Sequence, residues 1–155
     1  EKVYAQEKKI AALADNIVVK IPCTVEYAPI INRLCAEGIP LNITLVFTVA
    51  QALMMAKAGV KYVSPFIGRL NDIGKNGLEL IEDVCTAFMH YDIKTEVLAA
   101  SVRNVRQVEM AALYGCDVVT VNPTIFEKLF SHPLTEKGMQ KFLDDWQKGG
   151  KKAFP

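Results

Sequence analysis

Short apolar runs alternate along the chain with longer segments of helical period. The runs are rich in Val, Ile and Leu and lie at residues 16–21, 41–47, 62–66, 96–100 and 117–121. Because they lack a clean alternation of polar and apolar positions, they predict parallel strands that are covered on both faces.

Helical patterns fill the intervals between these runs. Residues 1–15 predict an amphipathic helix, and Thr135 is placed to cap the last one. Repeated strand–helix units predict a parallel sheet, either open and doubly wound or part of a barrel. The other predicted helices cover residues 25–37, 49–58, 77–91, 104–114, 124–130 and 135–148.

The distribution of polar residues favours the barrel. No glycine-rich dinucleotide or P-loop motif follows any predicted strand. Polar side chains instead recur near the carboxyl ends of several strands, where barrel enzymes assemble their active sites. Only five strands are visible in 155 residues, fewer than the eight of a closed barrel. The polar residues are Lys20, Asn42, Thr44, Ser64 and Ser101.

The composition of the chain limits the kinds of binding partner that are expected. The chain is 51% hydrophobic with a formal net charge of +1, which argues against nucleic acid or an anionic membrane surface as a partner. No apolar run reaches membrane-spanning length, and no signal peptide is recognisable at the start. The four cysteines are widely separated and the two histidines have no neighbouring ligands, so we expect no disulfide framework, no metal site and no cofactor.

Lys20 is the first candidate for chemistry. It stands between Val19 and Ile21 in a strand that should be buried. Desolvation favours the neutral amine, which can attack a carbonyl. The alternative is a lysine on an exposed strand face or one that reaches solvent from an edge.

Two arginines follow later strands. Arg69 and Arg103 lie just after the predicted strand ends, and guanidinium groups on such loops suit bidentate phosphate binding. Ser101 and the amides at the start of the helix near Asn104 could add donors. Alternatively, both arginines form surface salt bridges, for example Arg69 with Asp72.

Two pairs of residues are predicted to share strand faces. Asn42 and Thr44 lie two residues apart, as do Ser64 and Phe66. Burial of Asn42 and Thr44 would require partners, which capping or a bound substrate and water could supply.

Four segments together resemble transaldolases, most closely the short subfamily that includes fructose-6-phosphate aldolases. They occur in the family's order and spacing, and the resemblance runs from about residue 15 to the helix that contains Trp146. It implies a TIM barrel of the class I aldolase type, of which this chain holds the last five strand–helix units as a single partial domain. The segments are IVVKIP at 17–22, LNITLVF at 41–47, SPFIGR at 64–69 and AASVRN at 99–104.

The resemblance also implies a mechanism. Lys20 would form a Schiff base with fructose 6-phosphate or sedoheptulose 7-phosphate and pass a dihydroxyacetone unit to an aldose phosphate. Asn42 would orient hydroxyls and Thr44 would hold a water for proton transfer. Ser64 would line the pocket, while the phosphate would be bound by Arg69, Ser101 and Arg103.

Phe66 favours transfer over simple cleavage. Aldolase members of the family tend to place a tyrosine there, whose hydroxyl can help to protonate the enamine. A fructose-6-phosphate aldolase is therefore the second expectation. The resemblance further implies a cytoplasmic enzyme of the pentose phosphate pathway that forms ring-based homo-oligomers.

The chain departs from the family before Lys20. Members carry three further strands there, with an acid/base aspartate, an Asn-Pro loop and a carboxylate or glutamine that assists the water. Only residues 1–16 precede the Lys20 run. We therefore expect these residues alone to be inactive or poorly folded unless another polypeptide supplies the missing strands. A non-catalytic phosphosugar-binding fragment is a third interpretation.

Overall fold

A computed structural model describes residues 1–150 of the chain. They belong to two compact units, residues 1–121 and the segment that begins at Asn122. The prediction that residues 1–155 form one domain stays a prediction.

The first unit alternates strands with helices. It begins with helix α1 (Lys2–Ala11), and a short 3₁₀ turn (Val25–Tyr27) precedes α2. Its strands are β1 (Val19–Pro22), β2 (Leu41–Val46), β3 (Tyr62–Pro65), β4 (Glu96–Ala99) and β5 (Val118–Val119). Its other helices are α2 (Ala28–Ala36), α3 (Val49–Lys57), α4 (Ile67–Asp72), α5 (Gly77–His90) and α6 (Val105–Leu113).

All five strands pair in parallel in one sheet, in the order β1-β2-β3-β4-β5. Each strand therefore lies beside the strand that precedes it in the chain. A doubly wound sheet reverses its strand order at a switch point, whereas a barrel does not. The predicted α/β fold with a parallel sheet is confirmed, and the order is that of a barrel segment.

The apolar core lies between one face of the sheet and the helices. Val19, Ile21, Leu41, Ile43 and Val63 are all at most 1% exposed and belong to one cluster. Side chains from α2, α3 and α5 complete it, among them Ile31, Leu34, Ala52, Leu80 and Val84. The opposite face of β1 and β2 carries Lys20, Asn42 and Thr44.

Cover on both faces was predicted for every strand. The prediction is confirmed for β3 and β4, in which three consecutive residues are buried. It is wrong for β1 and β2, in which buried positions alternate with exposed or half-buried ones. Within the described residues, the helices cover only the Val19–Ile21 side of these two strands.

Several helix predictions need correction. The helix predicted at residues 1–15 ends at Ala11. Helix α4 was not predicted, because Pro65, Gly68 and a run of six residues give little helical signal. The predicted helix at 25–37 divides into the 3₁₀ turn and α2, since Pro29 lies in the first turn of α2 and has no N–H to continue an earlier helix.

The second unit contains α7 (Pro123–Lys128) and α8 (Pro133–Lys148). Thr135 does not cap α8; the Nδ1 atom of His132 accepts the Leu134 N–H at 3.1 Å instead. The helix therefore starts two residues earlier than predicted, with Pro133 at its first position, where its missing N–H is harmless. No helix within residues 1–150 is long and apolar enough to cross a membrane.

Candidate active site

Lys20 and Asn42 are direct neighbours across the first two strands. The register pairs Lys20 with Asn42 and Pro22 with Thr44. Because side chains alternate between faces, the three polar residues lie on the face of the sheet away from the core cluster. The prediction that Asn42 and Thr44 share a face is consistent with this register.

The predicted burial of Lys20 is wrong. The residue is exposed, while its neighbours Val19 and Ile21 are each 1% exposed. The cause is the alternation of side chains, which directs the apolar neighbours into the core and the amine away from it. Within the described residues, the amine is therefore open to solvent.

The side chain of Ser64 is the buried polar group of the site. It is 0% exposed, and its hydroxyl donates a hydrogen bond of 2.6 Å to Asn42 Oδ1. This bond satisfies a hydroxyl that would otherwise be buried without a partner. It also fixes the Asn42 amide so that Nδ2, which has no protein partner among residues 1–150, remains available as a donor.

Phe66 lies between the lysine and one arginine. Lys20 Nζ is 6.0 Å from the centroid of its ring, and Arg69 Cζ is 5.2 Å from the same centroid. Phe47 packs edge-on against this ring at a centroid distance of 5.9 Å. Cations are attracted to aromatic faces at such distances, so the ring holds the amine and the guanidinium in one neighbourhood.

Arg103, not Arg69, forms the ion pair with Asp72. Its NH1 and NH2 groups donate to Oδ1 and Oδ2 of the carboxylate in a bidentate arrangement, with the NH2 bond at 2.6 Å. The bonds from Arg103 lower the pKa of Asp72, and the pKa of Arg103 is raised by the same contact. The expected pair of Arg69 with Asp72 does not occur, although the Arg69 charge also favours the ionised carboxylate.

Gly68 allows the start of α4, which carries Arg69, to approach the loop after β4, which carries Arg103. Its N–H donates to the Ser101 carbonyl at 3.0 Å, and the Ile67 N–H donates to Ala100 O at 3.0 Å. A Cβ placed on Gly68 would lie 2.7 Å from Ser101 Oγ and 2.6 Å from Arg103 Nε, closer than real Cβ atoms come. Only glycine permits this approach.

Two non-glycine residues beside the site have positive φ. Leu45 (φ 59°) lies where the register of β2 and β3 shifts, and Ser101 (φ 60°) follows β4. Backbones of this kind are strained for residues with a Cβ and cluster at functional sites. The bulge at Leu45 lets Thr44 face the site while Val46 returns to the core.

Two backbone N–H groups near the start of α6 are bound by side chains of the protein. Asn104 Oδ1 accepts the Gln107 N–H at 2.9 Å, and Gln107 Oε1 accepts the Arg103 N–H at 2.8 Å. The N–H groups of Arg103 and Gln107 are therefore paired within the protein. That Arg103, Ser101 and the amides of this helix start bind a phosphate stays a prediction.

Three residues with a part in this arrangement were not singled out from the sequence: Gly68, Gln107 and Gln51, whose Oε1 accepts the Phe47 N–H at 2.8 Å. The two glutamines could have been found, because each stands three residues after an N-cap residue, as in a capping box. Gly68 acts through contacts with Arg103 and Ser101, some thirty residues away, and no local pattern signals it.

The profile of the Transaldolase/Fructose-6-phosphate aldolase family matches residues 1–153. The chain belongs to this family. It is 51% identical over 148 residues to a protein of Phenylobacterium zucineum strain HLK1 named "Probable transaldolase", an alignment that covers 96% of this chain and 68% of the relative.

Relatives from other bacteria carry the same name. The protein of Roseobacter denitrificans is 48% identical over 99% of this chain and 71% of its own length. The protein of Caulobacter sp. strain K31 is 51% identical over 94% of this chain and 67% of its own length. The predicted family is confirmed, and an aldolase-type transferase that acts on sugar phosphates follows from membership in the transaldolase family.

No group of three or more His, Cys, Asp or Glu side chains within residues 1–150 is arranged to hold a metal ion. All four cysteines are free and half-buried. They pack with apolar side chains, as small hydrophobes do.

Proposed function

We propose that the chain is a transaldolase that moves a dihydroxyacetone unit from a ketose phosphate to an aldose phosphate through a Schiff base on Lys20. The observation that carries the proposal is the Phe66 ring, against which the Lys20 amine lies at 6.0 Å and the Arg69 guanidinium at 5.2 Å. A nucleophile and an anion-binding group beside the same aromatic ring suit an extended ketose that ends in a phosphate.

The reaction begins at the amine. Lys20 Nζ attacks the C2 carbonyl of fructose 6-phosphate or sedoheptulose 7-phosphate, and loss of water gives a protonated imine. The imine then accepts the electron pair of the C3–C4 bond as that bond breaks and the C4 hydroxyl loses its proton. An aldose phosphate leaves, and an enamine of dihydroxyacetone remains on Lys20.

The second half reverses these steps with a different aldehyde. The enamine carbon attacks the aldehyde of glyceraldehyde 3-phosphate or erythrose 4-phosphate, the new alkoxide takes a proton, and hydrolysis of the imine frees Lys20. Asn42 Nδ2 donates to substrate hydroxyls, because Ser64 holds Oδ1. Thr44 holds the water that carries protons, and Arg69, Ser101 and Arg103 bind the phosphate.

Phe66 supports transfer rather than release of the unit. A phenyl ring has no proton to donate, so it leaves the enamine intact until an acceptor arrives. A fructose-6-phosphate aldolase is the second candidate. The family resemblance further supports a place in the pentose phosphate pathway, a cytoplasmic location and a ring-based homo-oligomer.

The test is reductive trapping. The chain, extended by the strands that precede the Lys20 run in other family members, is incubated with fructose 6-phosphate and borohydride, and the peptides are examined by mass spectrometry. We expect one adduct, on Lys20, and none in Lys20→Arg. Lys61→Arg is the matched control, because Lys61 also lies beside an aromatic ring, 5.2 Å from Tyr62, but outside the site. No adduct on Lys20 of the parent would refute the proposal.

Product analysis separates the alternatives. Free dihydroxyacetone formed without an acceptor aldehyde would identify an aldolase. Binding of fructose 6-phosphate with no covalent adduct would identify a phosphosugar-binding protein.

A further inference from the structure

The loops after β2 and β4 share one hydrogen-bonded arrangement. In each, a glutamine in the first turn of the next helix accepts the backbone N–H of a residue four positions earlier. Gln51 Oε1 accepts from Phe47 at 2.8 Å, and Gln107 Oε1 accepts from Arg103 at 2.8 Å. The glutamine's own N–H is capped by the intervening N-cap residue, Thr48 at 3.1 Å or Asn104 at 2.9 Å.

The two glutamines fix the two sides of the candidate site. Gln51 holds the backbone of Phe47, whose ring packs against Phe66. Gln107 holds the backbone of Arg103, whose guanidinium is fixed at its other end by Asp72. Gln107 is only 6% exposed, so its side chain is bound to the Arg103 backbone and is not hydrated.

We propose that Gln107 is a positioning residue for phosphate binding, and that it acts through the backbone of Arg103. The inference rests on the proposed function, since it assumes that Arg103 receives the substrate phosphate. An arginine held at its backbone and its guanidinium loses less freedom when it binds an anion than one on a mobile loop.

The contact requires an acceptor at Gln107. Without an acceptor, the Arg103 N–H loses its partner. The loop between β4 and α6 then loses one of the hydrogen bonds that fix its conformation. Arg103 then samples positions away from the phosphate, and affinity for phosphorylated ligands falls. Chemistry at Lys20 does not involve Arg103, so turnover of bound substrate is unaffected.

The decisive variant is Gln107→Met, which keeps the length and burial of the side chain but removes the acceptor. In the extended chain we expect KM for fructose 6-phosphate to rise about threefold to tenfold, the range that loss of one backbone hydrogen bond gives. Inhibition by inorganic phosphate should weaken by the same factor, while kcat changes by less than about twofold. KM for unphosphorylated fructose should not change.

Two further variants at Gln107 check the interpretation of this result. Gln107→Glu retains an acceptor in the first turn of the helix and should bring KM back to within about threefold of the parent. Gln107→Asn is too short to reach the Arg103 N–H and should behave as Gln107→Met does, which covers the case in which the methionine variant does not fold.

Gln51→Met is the matched control. It removes the same kind of contact from the loop after β2, which carries no phosphate-binding arginine. The preference for fructose 6-phosphate over fructose, measured as the ratio of kcat/KM, should remain as in the parent. In Gln107→Met this ratio should fall about threefold to tenfold.

A purely structural role for Gln107 would overturn the inference. It would lower the active fraction, and hence kcat, equally for both ketoses and would leave KM unchanged. Binding of inorganic phosphate needs no turnover, so it separates the two proposals. If the parent forms no Lys20 adduct, the proposed function fails; if it does and Gln107→Met binds phosphate as the parent does, only this inference fails.

Discussion

The Ser64 hydroxyl donates to Asn42 Oδ1 across the boundary between β2 and β3, at 2.6 Å, and its residue is wholly buried. The donor is fixed by its surroundings, and it in turn fixes the orientation of an amide on the open face of the sheet. One hydrogen bond therefore links the stability of the sheet to the polarity of the site.

Removal of this bond should affect both properties. We expect Ser64→Ala to lower the free energy of unfolding by about 1 kcal/mol and kcat by about twofold to tenfold, because the Asn42 amide is no longer held in one orientation. Urea denaturation and steady-state kinetics measure the two effects. Thr95→Val is the matched control, since the Thr95 hydroxyl is also buried and donates to Val60 O at 2.7 Å, away from the site. It should lose stability alone, and equal loss of kcat in both variants would contradict the role given to Ser64.

Gly68→Ala should disrupt the contact between the start of α4 and the loop that carries Ser101 and Arg103. The new Cβ would meet Ser101 and Arg103, so the start of α4 or the loop after β4 must move. We expect a loss of stability of about 1–3 kcal/mol, typical of an overpacked site, and weaker inhibition by inorganic phosphate. Gly138→Ala provides the control: a Cβ there meets nothing within 4 Å, and alanine is the better helix former. A neutral result at Gly68 would show that this approach is not needed.

The ion pair of Asp72 and Arg103 gives a pH-dependent prediction. The pKa of Asp72 is lowered by the hydrogen bonds from Arg103. A carboxyl group with a lowered pKa in the folded protein contributes stability above its unfolded value, and this contribution is lost as the pH falls through the folded value. Asp72→Asn should therefore be less stable than the parent by a constant amount near neutral pH, and the difference should shrink below about pH 4.

Salt provides a second measurement on the same pair. Both side chains are about half exposed, so added salt should reduce the difference between Asp72→Asn and the parent at neutral pH. Asp83→Asn removes an exposed carboxylate of α5 that forms no ion pair within residues 1–150, and it should be neutral. A difference that grows as the pH is lowered would contradict the assigned pair.

Phe66→Tyr tests the choice between transfer and cleavage. The new hydroxyl would extend from a ring whose centroid lies 6.0 Å from Lys20 Nζ, where it could donate a proton to the enamine. We expect release of dihydroxyacetone without an acceptor to rise by about tenfold or more, within the range for one added general acid. Phe47→Tyr changes the neighbouring ring and should leave this partition as it is. Release that is unchanged in Phe66→Tyr would show that another group governs the partition.

Much of the fold could be predicted from local patterns. The apolar runs marked all five strands to within a few residues, because strands of a parallel sheet are rich in Val, Ile and Leu. Glycines after three of the helices marked their ends, since Gly38, Gly59 and Gly115 all adopt positive φ.

The site was predicted less completely, and the reasons differ. Lys20 was expected to be buried because its neighbours are apolar, but their burial is what directs the lysine to the other face. The partner of Asp72 could not be read from the sequence, because Arg69 is nearer along the chain while Arg103 is nearer in space. Helix α4 starts where its first N–H groups meet Ala100 and Ser101, a contact between distant segments.

The consecutive order of the strands has a consequence for synthesis. Each strand docks on the one made just before it, so a nascent chain can add one strand–helix unit at a time without waiting for a distant segment. Each strand from β2 to β5 finds its neighbour already in place as it leaves the ribosome, and its exposure to other nascent chains is brief. Assembly can then keep pace with translation from β1 to β5.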